Sequence, residues 1–133
     1  MQNKYYVPDI TEFRVGFGYE HLHSINKEWI NETVTPNNRL NCFEDYLSTN
    51  QIRVKYLDKS DIESFGFEFN KTFQNFIIVT DSNDTIFLNM YSDYNVLIGK
   101  DYGMGCKESI LFKGIIKNKS ELQQVLKMIG VIE

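Results

Sequence analysis

The stretch Ile52 to Phe69, IRVKYLDKSDIESFGFEF, holds two changes of hydrophobic period, and the rest of the chain reads outward from it. Ile52, Val54 and Tyr56 alternate with Arg53 and Lys55, the period of a strand with one buried face, and Leu57 closes that strand. Asp58 then stands where a helix N-cap belongs, Asp61 follows near the positive end of the helix dipole, and Ile62 and Phe65 form a short apolar stripe. Gly66 stops the turn, and Phe67 and Phe69, separated by Glu68, resume the alternation. The unit is strand, short helix, strand, and it carries no chemistry of its own.

Toward the C-terminus the pattern continues as short apolar runs, Phe73 to Thr80, Asp84 to Tyr91, Asn95 to Lys100 and Ser109 to Lys117, divided by turn-forming residues such as Asp81-Ser82-Asn83-Asp84. These runs predict an antiparallel meander. Phe76-Ile77-Ile78-Val79 lacks alternation and predicts an inner strand covered on both faces. From Asn118 to Gly130, an N-cap, a capping acid at Glu121 and the helical spacing of Leu122, Val125, Leu126 and Ile129 predict an amphipathic helix lying on the sheet. Toward the N-terminus, Phe13, Val15, Phe17 and Tyr19 alternate with polar residues and two glycines, which predicts a strand. A second strand over Glu28 to Val34 would pair with it as a hairpin, ended by Thr35-Pro36-Asn37-Asn38. Asn41 and Glu44 have the form of a capping box for a short helix through Tyr46 and Leu47. The fold class is α+β, mainly an antiparallel β-sheet (meander), with two short helices and a C-terminal amphipathic helix packed on the sheet.

The 133 residues fit a single α+β domain, residues 1–133, able to bury about two thirds of its unfolded surface. Ten Phe, eight Tyr and one Trp fill a core generously and leave aromatic surface for a partner. A net charge of −4 with no basic run argues against direct nucleic-acid binding, which draws on clustered Lys and Arg. Cys42 and Cys106 match no metal or redox spacing and read as free thiols in a reducing compartment. The first residues, MQNKYYVPDI, do not resemble a secretory leader, and no later run reaches membrane-spanning length. A cytoplasmic protein without membrane association is the expectation.

Catalytic signatures are weak throughout. His21 and His23 sit two apart and would share one face of a strand, yet no third ligand accompanies them, so a plain strand end or turn is the reading preferred over a metal site. Asp81-Ser82-Asn83-Asp84 lacks the glycine and closing Glu of a calcium loop and reads as a hairpin turn. Gly103-Met104-Gly105-Cys106-Lys107 neither follows a parallel strand nor opens a helix, so it reads as a loop and not a phosphate cradle. Lys107 beside Cys106 could lower the thiol pKa, but no partner geometry follows from sequence. No catalytic residue, metal ligand or cofactor is assigned, and the chain reads as a non-enzyme. The candidate binding residues are Phe87, Tyr91, Tyr94 and Tyr102: Ile86, Leu88 and Met90 take one face of their strand, Phe87, Asn89 and Tyr91 the other, and Tyr94 and Tyr102 adjoin it. That face is a docking surface unless the N-terminal strands or short helices cover it.

Arg53 to Phe67, RVKYLDKSDIESFGF, and Phe112 to Leu122, FKGIIKNKSEL, resemble a group of small uncharacterised proteins of bacteriophages and prophages. Val7 to Phe13 and Val15-Gly16-Phe17 through Tyr19-Glu20 look similar as well, whereas Phe73 to Cys106 matches nothing in that group. The resemblance implies a phage accessory protein that binds a bacterial host protein and inhibits a defence system, in the manner of anti-CRISPR proteins that block an RNA-guided nuclease. The alternative is a self-associating structural or regulatory phage protein, and a metal-dependent enzyme using His21 and His23 comes third. Oligomeric state stays open at this level.

Overall fold

The structure is a computed structural model that describes residues 4–36, 46–47, 51–80, 84–101 and 109–132. Two compact units divide the chain, Met1–Tyr56 and Leu57–Glu133.

The first unit is built on an antiparallel sheet of β1 (Tyr5–Tyr6), β2 (Gly18–Leu22), β3 (Trp29–Thr33) and β4 (Ile52–Lys55), in the order β1-β4-β2-β3. β2 and β3 form the expected hairpin, with Gly18 opposite Thr33 and Leu22 opposite Trp29. The strand expected from Phe13 is a correction: regular pairing starts only at Gly18. Asp9 caps a 3-10 turn over Ile10–Glu12, with Glu12 reaching back to the Asp9 N–H at 2.7 Å. The chain then turns at Gly16, whose φ of +94° suits glycine. Phe17 N–H closes that turn on the Arg14 carbonyl, and Gly16 N–H and the Phe17 carbonyl both bond to Val34. Phe13 and Phe17 therefore reach the core from a turn, while Val15, between them in the apparent alternation, points to solvent. With Tyr19, Val34, Ile52 and Val54 they make this unit's core.

The second unit opens with α1 (Lys59–Glu63), and here the sequence signals were specific. Asp58 accepts from the Asp61 N–H at 3.0 Å while the Asp61 carboxylate accepts from the Asp58 N–H at 3.2 Å, a reciprocal cap that satisfies two otherwise unpaired donors. Gly66 has a φ of +98°, and a Cβ there would stand 3.2 Å from Ile78 Cδ1, so both backbone and space call for glycine. β5 (Glu68–Asn70), β6 (Asn75–Val79), β7 (Thr85–Met90), β8 (Asn95–Asp101) and β9 (Ser109–Ile115) follow as an antiparallel meander in sequence order. β6 begins two residues later than expected. The Asn70 side chain accepts from the N–H groups of Thr72 and Phe73, folding residues 71–74 into a turn and leaving Phe73 exposed.

α2 (Lys119–Met128) closes the unit. Its N-cap Asn118 is buried and accepts from the Glu121 N–H at 2.9 Å, and Gly130 follows the helix at a φ of +79°. Leu122, Val125 and Leu126 pack with Phe76, Ile86, Leu88, Val96 and Ile98 from the sheet and with Ile62 from α1. Each such side chain contributes about 1.5–3 kcal/mol when fully buried, which is what holds the helix on the sheet. The expected capping box at Asn41 and Glu44 lies outside the described residues, as do Cys42 and Cys106; Tyr46 and Leu47 are helical.

Candidate binding face

Register separates the two faces of the five-stranded sheet. Phe76, Leu88 and Ile98 stand opposite one another across β6, β7 and β8, with Ile78 and Ile86 on the same side, and that face receives α2. On the reverse face, Ile77, Phe87, Gly99 and Ile110 form one row across β6 to β9. Asn89, Leu97 and Lys113 form the next row, and Asn95 with Ile115 the one beyond it. Val79 and Thr85 lie on the other side of the Phe87 row, ending at Asp101. The helices of this unit pack among the residues of the first face, so the reverse face keeps much of its apolar surface in contact with water. Val79 is 63% exposed, Ile110 64% and Ile115 61%. The expectation that Phe76 to Val79 would be covered on both faces is thus corrected: β6 is an inner strand in which Phe76 is buried, Ile77 and Ile78 on opposite faces are half-buried, and Val79 is exposed.

Each candidate residue has a definite place. Tyr91, directly after β7, is 58% exposed and donates its N–H to the Asn95 carbonyl, next to Ile115 in the register. Phe87 lies on the expected face yet is only 8% exposed. The tip of its ring fills the space beside Gly99, where a Cβ would come within 2.3 Å of Phe87 Cζ, so Phe87 is floor and not contact surface. Tyr94 is also structural: with Asp93 it occupies left-handed backbone at the β7 to β8 turn, its carbonyl accepts from the Ile116 N–H at 2.9 Å, and its half-buried ring packs on the core. Tyr102 lies outside the described residues. Sequence reading missed Val79, Ile110 and Ile115, and the signal that finds them is pairing register, because Ile110-Leu111-Phe112 has no alternation to mark an outward side. A bulge between Ile98 and Gly99 explains this: β9 spends an additional residue there, shifting its side chains between faces.

The four-stranded sheet carries its own polar assembly. The Arg53 guanidinium lies 3.7 Å from the Tyr5 ring centroid and 4.1 Å from that of Trp29, with Nε and Nη2 at 3.2 and 3.4 Å from the Glu20 carboxylate. Four strands are joined by this one side chain, which meets two aromatic rings and a carboxylate. Tyr19 donates its hydroxyl to Glu32 at 3.1 Å, and burial, followed by the hydrogen bond to Glu32 and that residue's negative charge, pushes its pKa from 10.0 to about 12.

The two histidines are not joined in a common site. His21 packs against Tyr46 with ring centroids 4.5 Å apart and planes tilted by 54°, and its Nε2 is buried without a hydrogen-bond partner. His23 follows the strand, and its Nδ1 accepts from the N–H groups of Ile25 and Asn26, which organises the hairpin turn. Among the described residues no group of three His, Cys, Asp or Glu side chains could hold a metal ion, and no helix is long and apolar enough to cross a membrane. The Asp81 to Asp84 turn is described only at Asp84, whose carbonyl accepts from the Thr80 N–H and whose carboxylate pairs with Lys100 at 2.8 Å. The glycine-rich stretch Gly103 to Lys107 lies outside the described residues. No protein-family model, no curated protein and no solved structure gives a significant match to the chain.

Proposed function

We propose that the chain is a non-enzymatic binding protein that docks a bacterial host protein on the reverse face of its five-stranded sheet, acting in the host cytoplasm as a phage-encoded inhibitor of a defence system. The observation that carries the reading is the asymmetry of that sheet: one side is sealed by Leu122, Val125 and Leu126, and the other leaves Val79, Ile110, Ile115 and Tyr91 exposed at its surface. Exposed apolar groups on a single sheet face, divided by polar rows, fit the mixed apolar and polar composition of an interaction surface. The strands that carry them are hydrogen-bonded into one five-stranded sheet, and the Phe87 ring packs against Gly99. A preorganised surface loses little conformational freedom on binding. The resemblance to phage and prophage proteins supports the choice of partner class, with an RNA-guided nuclease as the first to test.

The test is target cleavage by purified RNA-guided nucleases, with binding measured by biolayer interferometry against immobilised chain. Binding of one nuclease, inhibition at equal stoichiometry and a tenfold or greater loss on I115K would support the reading. Binding that I115K and V79K leave unchanged would sink this face as the site, and no binding to any nuclease would sink the defence partner. The second reading, self-association, draws on β9 being a sheet edge with Ile110 and Ile115 exposed. Light scattering at micromolar concentration separates the two, because self-association requires a stable oligomer in the absence of any partner.

A further inference from the structure

We draw no further inference here: the strongest candidate, the exposed edge strand β9 with Ile110 and Ile115, is interrupted by a bulge and carries Lys113, both of which blunt an edge against pairing, and nothing in the structure shows what covers it.

Discussion

Gly99→Ala tests whether Phe87 is floor or contact surface, and the sign of its effect carries the answer. A strand glycine at ordinary φ normally gains stability on replacement by alanine, about 0.4–1 kcal/mol, because the unfolded chain loses freedom. At Gly99 the added Cβ would meet Cζ, Cε1 and Cε2 of Phe87 at 2.3, 2.7 and 3.0 Å. The ring cannot swing into water cheaply, since it is already 92% removed from it by its 8% exposure, and it stands beside Ile77 in the sheet register. Overpacking of this kind costs about 1–3 kcal/mol, so the substitution should destabilise despite the favourable backbone term. Phe87→Ala alone should cost about 3–5 kcal/mol, and in that background Gly99→Ala should become neutral or stabilising. The coupling between the two changes is then about 1–3 kcal/mol, the range expected of residues in direct contact. Urea unfolding of the four proteins followed by far-UV circular dichroism provides the cycle, with amide exchange in β7 and β8 to assign the change to this sheet. The single tryptophan, Trp29, belongs to the other unit and is the wrong reporter. Additive effects, or Gly99→Ala stabilising the unaltered protein, would refute the placement of the ring and return Phe87 to the list of surface residues.

Arg53→Met keeps an unbranched but shorter apolar stem and removes the guanidinium; with two ring contacts at about 0.5–1 kcal/mol each and a half-buried ion pair of similar worth, about 1.5–3 kcal/mol should be lost, together with a change in Trp29 emission, as read by fluorescence-monitored urea unfolding. Tyr19 should titrate near 12 in the folded state against 10.0 unfolded, so its contribution to stability is complete below pH 10, declines as pH rises toward 12, and is absent from the pH profile of Tyr19→Phe; an unchanged profile would contradict the burial of Tyr19 and its part-buried bond to Glu32. Asp93→Gly relieves a left-handed residue at φ +58° on an exposed turn and should raise stability by up to about 1 kcal/mol in thermal unfolding, whereas a loss would mean that the aspartate side chain has a role in the turn. Tyr91→Ala should weaken partner binding while leaving the melting temperature nearly unchanged, because its ring is mostly in water; a drop of several degrees would make it a packing residue.

What the sequence disclosed was set by how local the deciding interactions are. Asp58, Asp61 and Gly66 fix α1 through bonds spanning three residues and one required φ, so the signal is complete within the segment. Asn118 and Gly130 bound α2 by the same means. Phe13 to Tyr19 misleads because a turn at Gly16 delivers two aromatics to the core at a spacing that imitates a strand, and besides the local bond from Phe17 to Arg14 the turn is tied to Val34, remote in sequence. The candidate face was half legible: alternation placed Phe87 on the side opposite Ile86 and Leu88, but its burial depends on Gly99 in the neighbouring strand. Pairing register, which no single strand records, decided the rest.

The same register argument explains why the reverse face can remain apolar in a folded chain. Placing isoleucines and a valine toward water gives up transfer free energy, yet Thr85 and Asp101 share the row of Val79, Asn95 stands opposite Ile115, and the row of Asn89 and Lys113 lies between Ile110 and Ile115, so polar groups break the apolar surface into strips. Stability does not depend on those strips, because Leu88, Ile98, Leu122 and Leu126, with no exposed surface between them, supply the packing from the opposite side. Substitutions at the exposed positions of the reverse face, unlike those at Phe87 or Gly99, are therefore separable from folding: lysine at Ile115 or Val79 changes what the surface can hold without opening a cavity. That separability gives the binding assay its force, since loss of binding at unchanged stability can arise only at the surface itself.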